Sequence, residues 1–398
     1  MAANTAILQL QASLQHLRDL VFKTDADFYD LLTIACACAV FWFVVFSIGK
    51  TILQKLTGDK PSWLREGIEK ELSRMGGAAE INKDLGLDYT DEEFVEILMD
   101  RWFGEQMVTS QHLFGGALCI PSQLGLGDPS WASSLAVLGI LSEVGFEIQD
   151  VVILFYTRLR HGPKRVPTII LVLCLLHHSL ASGLGIPTIL RYREWWVIHS
   201  ICFDLQFGTS LLAPLGEYGK LLNVKKPDDL HRFKIVNILK VIIGVWTRGI
   251  HFIYLVTLAM ISWYNDKAWT FLCVGSPVLL AFTGFNYMMI LKPVIKTYMK
   301  FRNASAEYEA LPADASDEQK RKSLANLGDL ARELIEETDI IHPTDQFTAF
   351  FQSLQERKGK LDRRQTMTPR QKMMSMRSMR SMRLTRGVSA PPRAWKID

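Results

Sequence analysis

Residues 166–190 read VPTIILVLCLLHHSLASGLGIPTIL and contain no Asp, Glu, Lys or Arg. A helix that crosses the roughly 30 Å hydrocarbon core of a bilayer needs about 20 predominantly apolar residues. This stretch reaches that length, whereas a helix of a soluble protein normally keeps polar residues along one face. The sequence therefore predicts a transmembrane helix here and argues against an ordinary soluble protein.

The composition of the whole chain agrees with a membrane protein that carries large polar extensions. Of its 398 residues, 48% are hydrophobic and 22% are charged, and the mean hydropathy is slightly positive. The 26 Gly and 15 Pro residues are ordinary numbers, which excludes collagen-like and wholly disordered classes. The six cysteines fall inside apolar stretches without CxxC spacing, so we interpret them as packing residues.

Six further apolar stretches resemble the first. Residues 31–49, 106–127 and 268–291 contain no charged residue, and residues 131–157, 195–216 and 241–265 contain a few. The predicted fold is all-α, a multi-pass transmembrane helical bundle of about seven spans with cytoplasmic extensions. Residues 106–127 are the weakest span, because Gly115, Gly116 and Pro121 would strain an isolated helix. A re-entrant or interfacial element is the alternative there.

Charge and apolar patterning divide the chain into six regions. These are an N-terminal amphipathic arm (1–30), a first transmembrane anchor (31–49), a cytoplasmic connecting region (50–105), the main transmembrane domain (106–297), a cytoplasmic helical region (298–356) and a basic tail (357–398). The arm is expected to lie on the membrane surface or to pack on its own protein. The tail holds 13 Lys or Arg against two Asp and is rich in Met and Ser, so disorder in isolation is predicted.

The orientation in the membrane follows from the basic residues of the connections. Lys and Arg are numerous in residues 50–65, 158–165 and 220–234 and sparse in the intervening connections. Short loops rich in Lys and Arg stay on the cytoplasmic side. The pattern predicts a lumenal N-terminus and a cytoplasmic C-terminus.

Ionisable side chains at bilayer depth cost a few kcal/mol each, so they indicate partners or a function. Glu143, Glu147 and Asp150 lie at i, i+4 and i+7 of the third span and share one helical face. Three like charges cannot all ionise cheaply there, so we expect either that some of these carboxyls stay protonated or that a cationic partner lies nearby. Arg248 of the sixth span, with His251 one turn later, is the candidate partner.

Histidines and further polar residues fall at similar depth. His177 and His178 are adjacent near the middle of the fourth span, and Asp204 lies in the fifth. A histidine can exchange a proton near neutral pH while a carboxylate orients it. We therefore predict His177, His178, Asp150 and Asp204 as catalytic candidates. The predicted cavity or lipid-binding residues are Glu143, Glu147, His112, His199, Gln206, Arg248 and His251.

No H-x-x-x-H motif was found, and no His/Cys ligand spacing was identified, so no metal and no other cofactor is predicted. The expected partners are membrane lipids, with a lipid or an acyl-CoA as substrate. The basic tail is expected to adsorb to an anionic leaflet, at about 1 kcal/mol per basic residue near the surface. Nucleic acid is not expected, because the tail is tethered at a membrane and offers only Trp395 for stacking.

The order of these landmarks over roughly residues 100–300 resembles the TLC domain family, named for translocating-chain-associated, longevity-assurance and ceroid-lipofuscinosis membrane proteins. The landmarks are, in chain order, Ser110, Gln111, His112, Asp150, His177, His178, the polar segment 206–212, Arg248, Asn286 and Tyr287. The resemblance implies an endoplasmic-reticulum protein concerned with lipid, in which the paired histidines and an acidic residue face an intramembrane cavity.

Within that family the chain diverges from ceramide synthases, which transfer an acyl group from coenzyme A to a sphingoid base. Those enzymes carry a His-Asp dipeptide downstream of the histidine pair, whereas His199 is followed by Ser200 here. The resemblance therefore implies a TLC-domain protein that is divergent from ceramide synthases.

Three functional hypotheses remain open at the level of sequence. The leading one is an endomembrane protein that binds or processes a lipid in a cavity lined by the catalytic candidates. The second is a non-catalytic lipid sensor, cargo receptor or regulator of membrane composition, in which the same residues hold the bundle together. The third is an ion or proton pathway along the carboxylate row.

Overall fold

A computed structural model describes residues 2–58, 60–74, 77–79, 82, 89–166, 168–222, 227–309 and 318–319. The regular elements in these ranges are all helical, as predicted. In chain order they begin with α1 (Ala2–Val21), α2 (Phe28–Thr57), α3 (Ser62–Arg74), α4 (Asp91–Leu124), α5 (Pro129–Arg165) and α6 (Thr168–Tyr192). They continue with α7 (Trp196–Leu221), α8 (Pro227–Val245), α9 (His251–Asn265), α10 (Ser276–Phe285) and α11 (Lys292–Glu309). Short π-helical turns, Trp246–Ile250, Phe271–Gly275 and Asn286–Leu291, adjoin α9, α10 and α11.

Local sequence explains where the long helices begin. Asp27 accepts a hydrogen bond from the Asp30 backbone and forms a capping box at the start of α2. Thr90 does the same for α4, where Glu93 closes the box and acidic residues fill the first turn. Asp128 caps α5, whose first residue is proline.

Three of the described helices are long and apolar enough to cross a membrane: Phe28–Thr57, Asp228–Asn265 and Phe271–Met288. The chain is therefore a membrane protein by the length and composition of these helices. The second of them includes α8, the π-helical turn Trp246–Ile250 and α9. The other four predicted spans also fold as helices, and their crossing of the bilayer stays a prediction.

The segment 106–127, for which a re-entrant element was the alternative, lies mostly within the continuous helix α4. Pro121 lies inside this helix, and Gly125, in the left-handed conformation at φ 61°, ends it. Gly116 is needed for packing, because a side chain there would meet the Phe207 backbone nitrogen at 2.7 Å. The glycine therefore serves close approach between α4 and α7.

Helices also continue across four predicted region boundaries. The helix α2 extends beyond both ends of the first anchor, α4 begins before residue 106, and α11 crosses residue 298. The first part of the amphipathic arm forms α1. The last two residues of α1, Leu20 and Val21, are buried in a core with residues of α2 and α5. Most of the predicted cytoplasmic helical region after residue 309, and the whole basic tail, lie outside the described residues.

The helices α4, α5 and α7 pack against one another at the centre of the bundle, and α2 and α6 pack against α5. Gly145 of α5 brings that helix against α2, since an added Cβ would lie 2.6 Å from the Ala35 carbonyl oxygen. Many large apolar side chains of α2, α8 and α9 are exposed, including Phe43, Ile242 and Ile253. The bundle is thus apolar outside, which suits contact with lipid.

Contacts between chain segments show that the central helices run in alternating directions. At one end, Ser122 of α4 contacts His199 of α7 (2.7 Å), and Arg193 donates to the Val21 carbonyl oxygen (2.7 Å). At the other end, the Trp102 indole of α4 donates to Glu217 of α7 at 3.0 Å. The start of α7 therefore lies beside the end of α4, and its end lies beside the first half of α4.

Candidate functional site

Polar side chains from several helices form a band inside the bundle. We call this set the polar band. Its members are Gln111 and His112 of α4, Glu143, Glu147 and Asp150 of α5, Cys174, His178 and Ser182 of α6, Asp204 and Thr209 of α7, Arg248 in the π-helical turn, and His251 of α9. Most of the predicted site residues belong to it.

The first part of the polar band joins α5 to α6 around His178. The His178 Nε2 atom lies 3.0 Å from Asp150 Oδ2, and its Nδ1 atom lies 3.6 Å from Glu147 Oε1. Cys174 Sγ donates to Asp150 Oδ2 at 3.4 Å, and the Ser182 hydroxyl donates to Glu147. A single imidazole therefore lies between two carboxylates, in the geometry of a group that holds and exchanges a proton.

We call Glu147, Asp150, Cys174, His178 and Ser182 the His178 cluster. Its Asp150 side is more exposed than its Glu147 side. The Glu147 side chain is only 3% exposed and that of His178 is 12% exposed, whereas the Asp150 side chain is 42% exposed. Ile153, one turn further along the Asp150 face of α5, is also exposed. The carboxylate of Asp150 thus opens onto an apolar part of the helix surface.

The second part of the polar band surrounds Glu143 between α4 and α5. The Gln111 amide donates to Glu143 Oε2 at 2.8 Å, and His112 Nδ1 lies 3.4 Å from the same oxygen. Glu143 is also within electrostatic range of His178 and Arg248. It therefore connects the His178 cluster to the α7 side of the bundle.

The third part joins α7 to α9. His251 Nδ1 lies 2.9 Å from Asp204 Oδ2, and the Asp204 side chain has no exposed surface. The His251 ring stacks on Trp246 at 5.2 Å between centroids, and its own side chain is 22% exposed. The π-helical turn before His251 widens the helix at this point, a feature that often occurs at functional sites.

The prediction for Arg248 needs a correction. It was expected to pair with the row Glu143, Glu147 and Asp150, but its guanidinium donates to the Leu205 carbonyl oxygen and to the Thr209 hydroxyl. Its positive charge acts on Asp204 and on Glu143 from a position that is 4% exposed. The helix order explains this difference, because Arg248 follows α8 and faces α7, whereas Glu147 and Asp150 face α6.

Two predicted cavity residues serve other purposes. Both ring nitrogens of His199 are occupied, by the Ser122 hydroxyl at 2.7 Å and by the Arg193 carbonyl oxygen at 2.8 Å. Gln206 donates to the Gly139 carbonyl oxygen at 3.2 Å and so joins α7 to α5. These side chains hold helices together, and His199 lies at the end of the bundle.

The three catalytic candidates whose side chains the structure describes fall into two pairs. Asp150 and His178 pair between α5 and α6, whereas Asp204 pairs with His251 between α7 and α9. The side chain of His177 lies outside the described part of the structure. Among the described side chains, two histidine–carboxylate pairs therefore replace the single predicted group.

A surface pocket opens at the end of the bundle near His199. It has a volume of about 610 Å³, and its lining residues are Thr24, Leu190, Arg191, Tyr192, Arg193, Glu194, Trp195, Ser262, Asn265 and Asp266. None of the predicted site residues lines it. Its titratable lining residues include no histidine, so the histidine–carboxylate pairs are taken as the candidate site.

Sequence reasoning missed Cys174. This residue precedes His178 by four positions, so both side chains lie on one face of α6. The i, i+4 spacing of Cys174 and His178 is a metal-ligand spacing that is visible in the sequence.

Comparisons of the chain with protein-family models, with curated proteins and with solved structures found no match.

Proposed function

We propose that this chain is a multi-pass protein of the endoplasmic-reticulum membrane that binds or processes a lipid at the His178 cluster. One observation carries the proposal: a buried histidine bridges two carboxylates, and one of these, Asp150, opens onto an apolar helix surface. A lipid can present a hydroxyl or amine to Asp150 from the surrounding bilayer, without entering through water.

The charges of the polar band support a function beyond packing. The polar band contains four carboxylates: Glu143, Glu147, Asp150 and Asp204. It also contains one arginine, and three histidines that each lie beside a carboxylate. Burying an uncompensated carboxylate is costly. A net charge near zero in the band therefore requires protons on the histidines or on the carboxyl groups. Such a band holds exchangeable protons at bilayer depth, which is the property that acid–base chemistry on a lipid requires.

The order of landmarks supports a TLC-domain protein divergent from ceramide synthases, and an acyl-CoA remains a candidate co-substrate. The topology that accompanies this proposal has seven crossings, a lumenal N-terminus and a cytoplasmic C-terminus. Its basic tail would then face the anionic cytoplasmic leaflet, where Lys and Arg are attracted.

Asn303 provides a test of this topology. The sequence Asn303-Ala304-Ser305 is an acceptor for N-glycosylation, and Asn303 is exposed on α11. We expect no sugar at Asn303, because glycosylation occurs in the lumen. The measurement compares the electrophoretic mobility of the wild-type chain and of Asn303→Gln before and after deglycosylation. A new acceptor introduced beside Gly127 is the positive control, and a sugar-dependent shift that Asn303→Gln abolishes would contradict the orientation.

The second candidate function is a non-catalytic lipid sensor, cargo receptor or membrane regulator. It is favoured by the fact that His178, Asp204 and Arg248 each join two helices, so the same contacts stabilise the bundle. This alternative predicts that substitution of these residues lowers protein abundance rather than changing lipid chemistry.

The test of the proposed function is the replacement of His177 and His178 by Ala, followed by quantification of cellular lipid classes. Because loss of His178 leaves Glu147 buried without its partner, the same experiment is done with Glu147→Gln added, which removes the uncompensated charge. His231→Ala, on the exposed surface of α8, is the matched control. We expect both His178 variants to change at least one lipid class and the control to change none. Unchanged lipids at normal abundance of both variants would exclude the proposal.

A further inference from the structure

The His178 cluster offers a sulfur atom, Cys174 Sγ, as a possible metal ligand besides nitrogen and oxygen atoms. Asp150, Cys174 and His178 each offer one ligand atom, and these atoms all lie within 4.8 Å of one another. The carboxylate oxygen lies 3.0 Å from His178 Nε2 and 3.4 Å from Cys174 Sγ. Around a tetrahedral zinc ion, neighbouring ligand atoms are about 3.3–3.8 Å apart, given metal–ligand bonds of about 2.0–2.3 Å.

We propose that Asp150, Cys174 and His178 form a binding site for a transition-metal ion of the zinc class. This inference concerns the same cluster as the proposed function but does not depend on lipid binding. The donor set of one imidazole, one thiolate and one carboxylate suits zinc, whereas Mg²⁺ and Ca²⁺ prefer oxygen ligands alone.

Charge balance favours a divalent ion at this position. An ionised carboxylate and a thiolate together carry two negative charges, and neutral His178 adds none. A divalent cation brings the site to neutrality, which reduces the cost of placing these charged groups at bilayer depth. The coordination also explains why Cys174 lies on the same face of α6 as His178, pointing to Asp150.

Glu147 and Ser182 would orient the His178 ring without binding the metal themselves. A histidine that binds a metal through one ring nitrogen usually donates its other N–H group to a carboxylate, which fixes the ring orientation. Glu147 Oε1 lies 3.6 Å from His178 Nδ1, and the Ser182 hydroxyl donates to Glu147. Both residues are thus positioning residues for the imidazole. The exposed side of Asp150 leaves room for a fourth ligand, such as water or a polar group of a lipid.

The experiment measures metal binding by the purified full-length chain in detergent. The chain is equilibrated with Zn²⁺, separated from free metal, and analysed for bound zinc. A parallel sample with Co²⁺ is examined for the near-ultraviolet absorption of a cobalt–thiolate bond. Cys174→Ser and Asp150→Asn change one ligand each, and Cys273→Ser, at an exposed cysteine, is the matched control.

We expect one equivalent of zinc and a cobalt–thiolate band for the wild type and for Cys273→Ser. Cys174→Ser should lose the band, and Glu147→Gln should weaken zinc binding by about 10- to 100-fold. Size-exclusion profiles show whether each variant is folded. A folded wild-type chain that binds no zinc, or a Cys174→Ser chain that keeps the wild-type zinc content and affinity, would overturn the proposal. Because the readout is metal content, a negative result leaves the lipid function standing, and a negative lipid experiment leaves the metal site standing.

Discussion

Replacing Arg248 with Met is expected to destabilise the folded chain by about 3–6 kcal/mol, because a buried charged group makes two hydrogen bonds, each worth about 1.5–3 kcal/mol. Arg248 is 4% exposed, and its positive charge acts on Asp204 and Glu143. Its loss leaves both carboxylates inside the bundle without that cation. It also removes the donors to the Leu205 carbonyl oxygen and the Thr209 hydroxyl.

The measurement is the thermal unfolding midpoint of the purified chain in detergent, together with its abundance in cells. Arg232→Met is the matched control, because the Arg232 side chain is 60% exposed and its loss should change stability by less than about 0.5 kcal/mol. Adding Asp204→Asn to Arg248→Met should restore part of the stability, since one of the two carboxylates that lose this cation is then neutral. An Arg248→Met chain as stable as the Arg232→Met control would contradict the assigned role of Arg248.

The fold was predictable from the sequence where length and apolarity decide it. The apolar stretch 31–49 predicts a helix by its length, and the structure places it inside α2. The sequence was less informative at Gly116, where a residue that weakens an isolated helix allows close contact with the Phe207 backbone. A glycine that serves packing and one that breaks a helix look the same until the neighbouring helix is known.

Most members of the candidate site were predictable from the sequence, but their pairing was not. Helical periodicity placed Glu143, Glu147 and Asp150 on one face, yet it does not identify the neighbouring helix that each side chain meets. Hence Glu147 and Asp150 were paired with Arg248 in the prediction, whereas His178 is their partner in the structure. The packing order of the helices decides this, and it is a property of the whole chain.

His199 illustrates the opposite error. It lies seven residues before Gln206, on the same helical stripe, and both are predicted as cavity residues. In the structure His199 lies near the first turn of α7, where the preceding connection supplies the Arg193 carbonyl oxygen as an acceptor. Residues near a helix end often satisfy backbone groups of the adjoining loop, which sequence periodicity does not reveal.

The second large effect is expected for lipid that stays bound to the purified protein. Asp150→Asn keeps the shape of the side chain but removes the charge that opens onto an apolar part of the helix surface, while Glu147 keeps its contact with His178. We expect this variant to fold normally and to lose most of the lipid that the wild-type chain selects. The matched control is Asp229→Asn on α8, a carboxylate outside the polar band.

The most direct measurement is therefore the composition of lipids that co-purify with the full-length chain in mild detergent, determined by mass spectrometry against the bulk membrane extract. The account predicts a lipid class enriched on the wild-type chain and on Asp229→Asn, and reduced to bulk proportion on Asp150→Asn. Wild-type and Asp150→Asn chains that carry the same lipids, in the proportions of the bulk membrane, would contradict it.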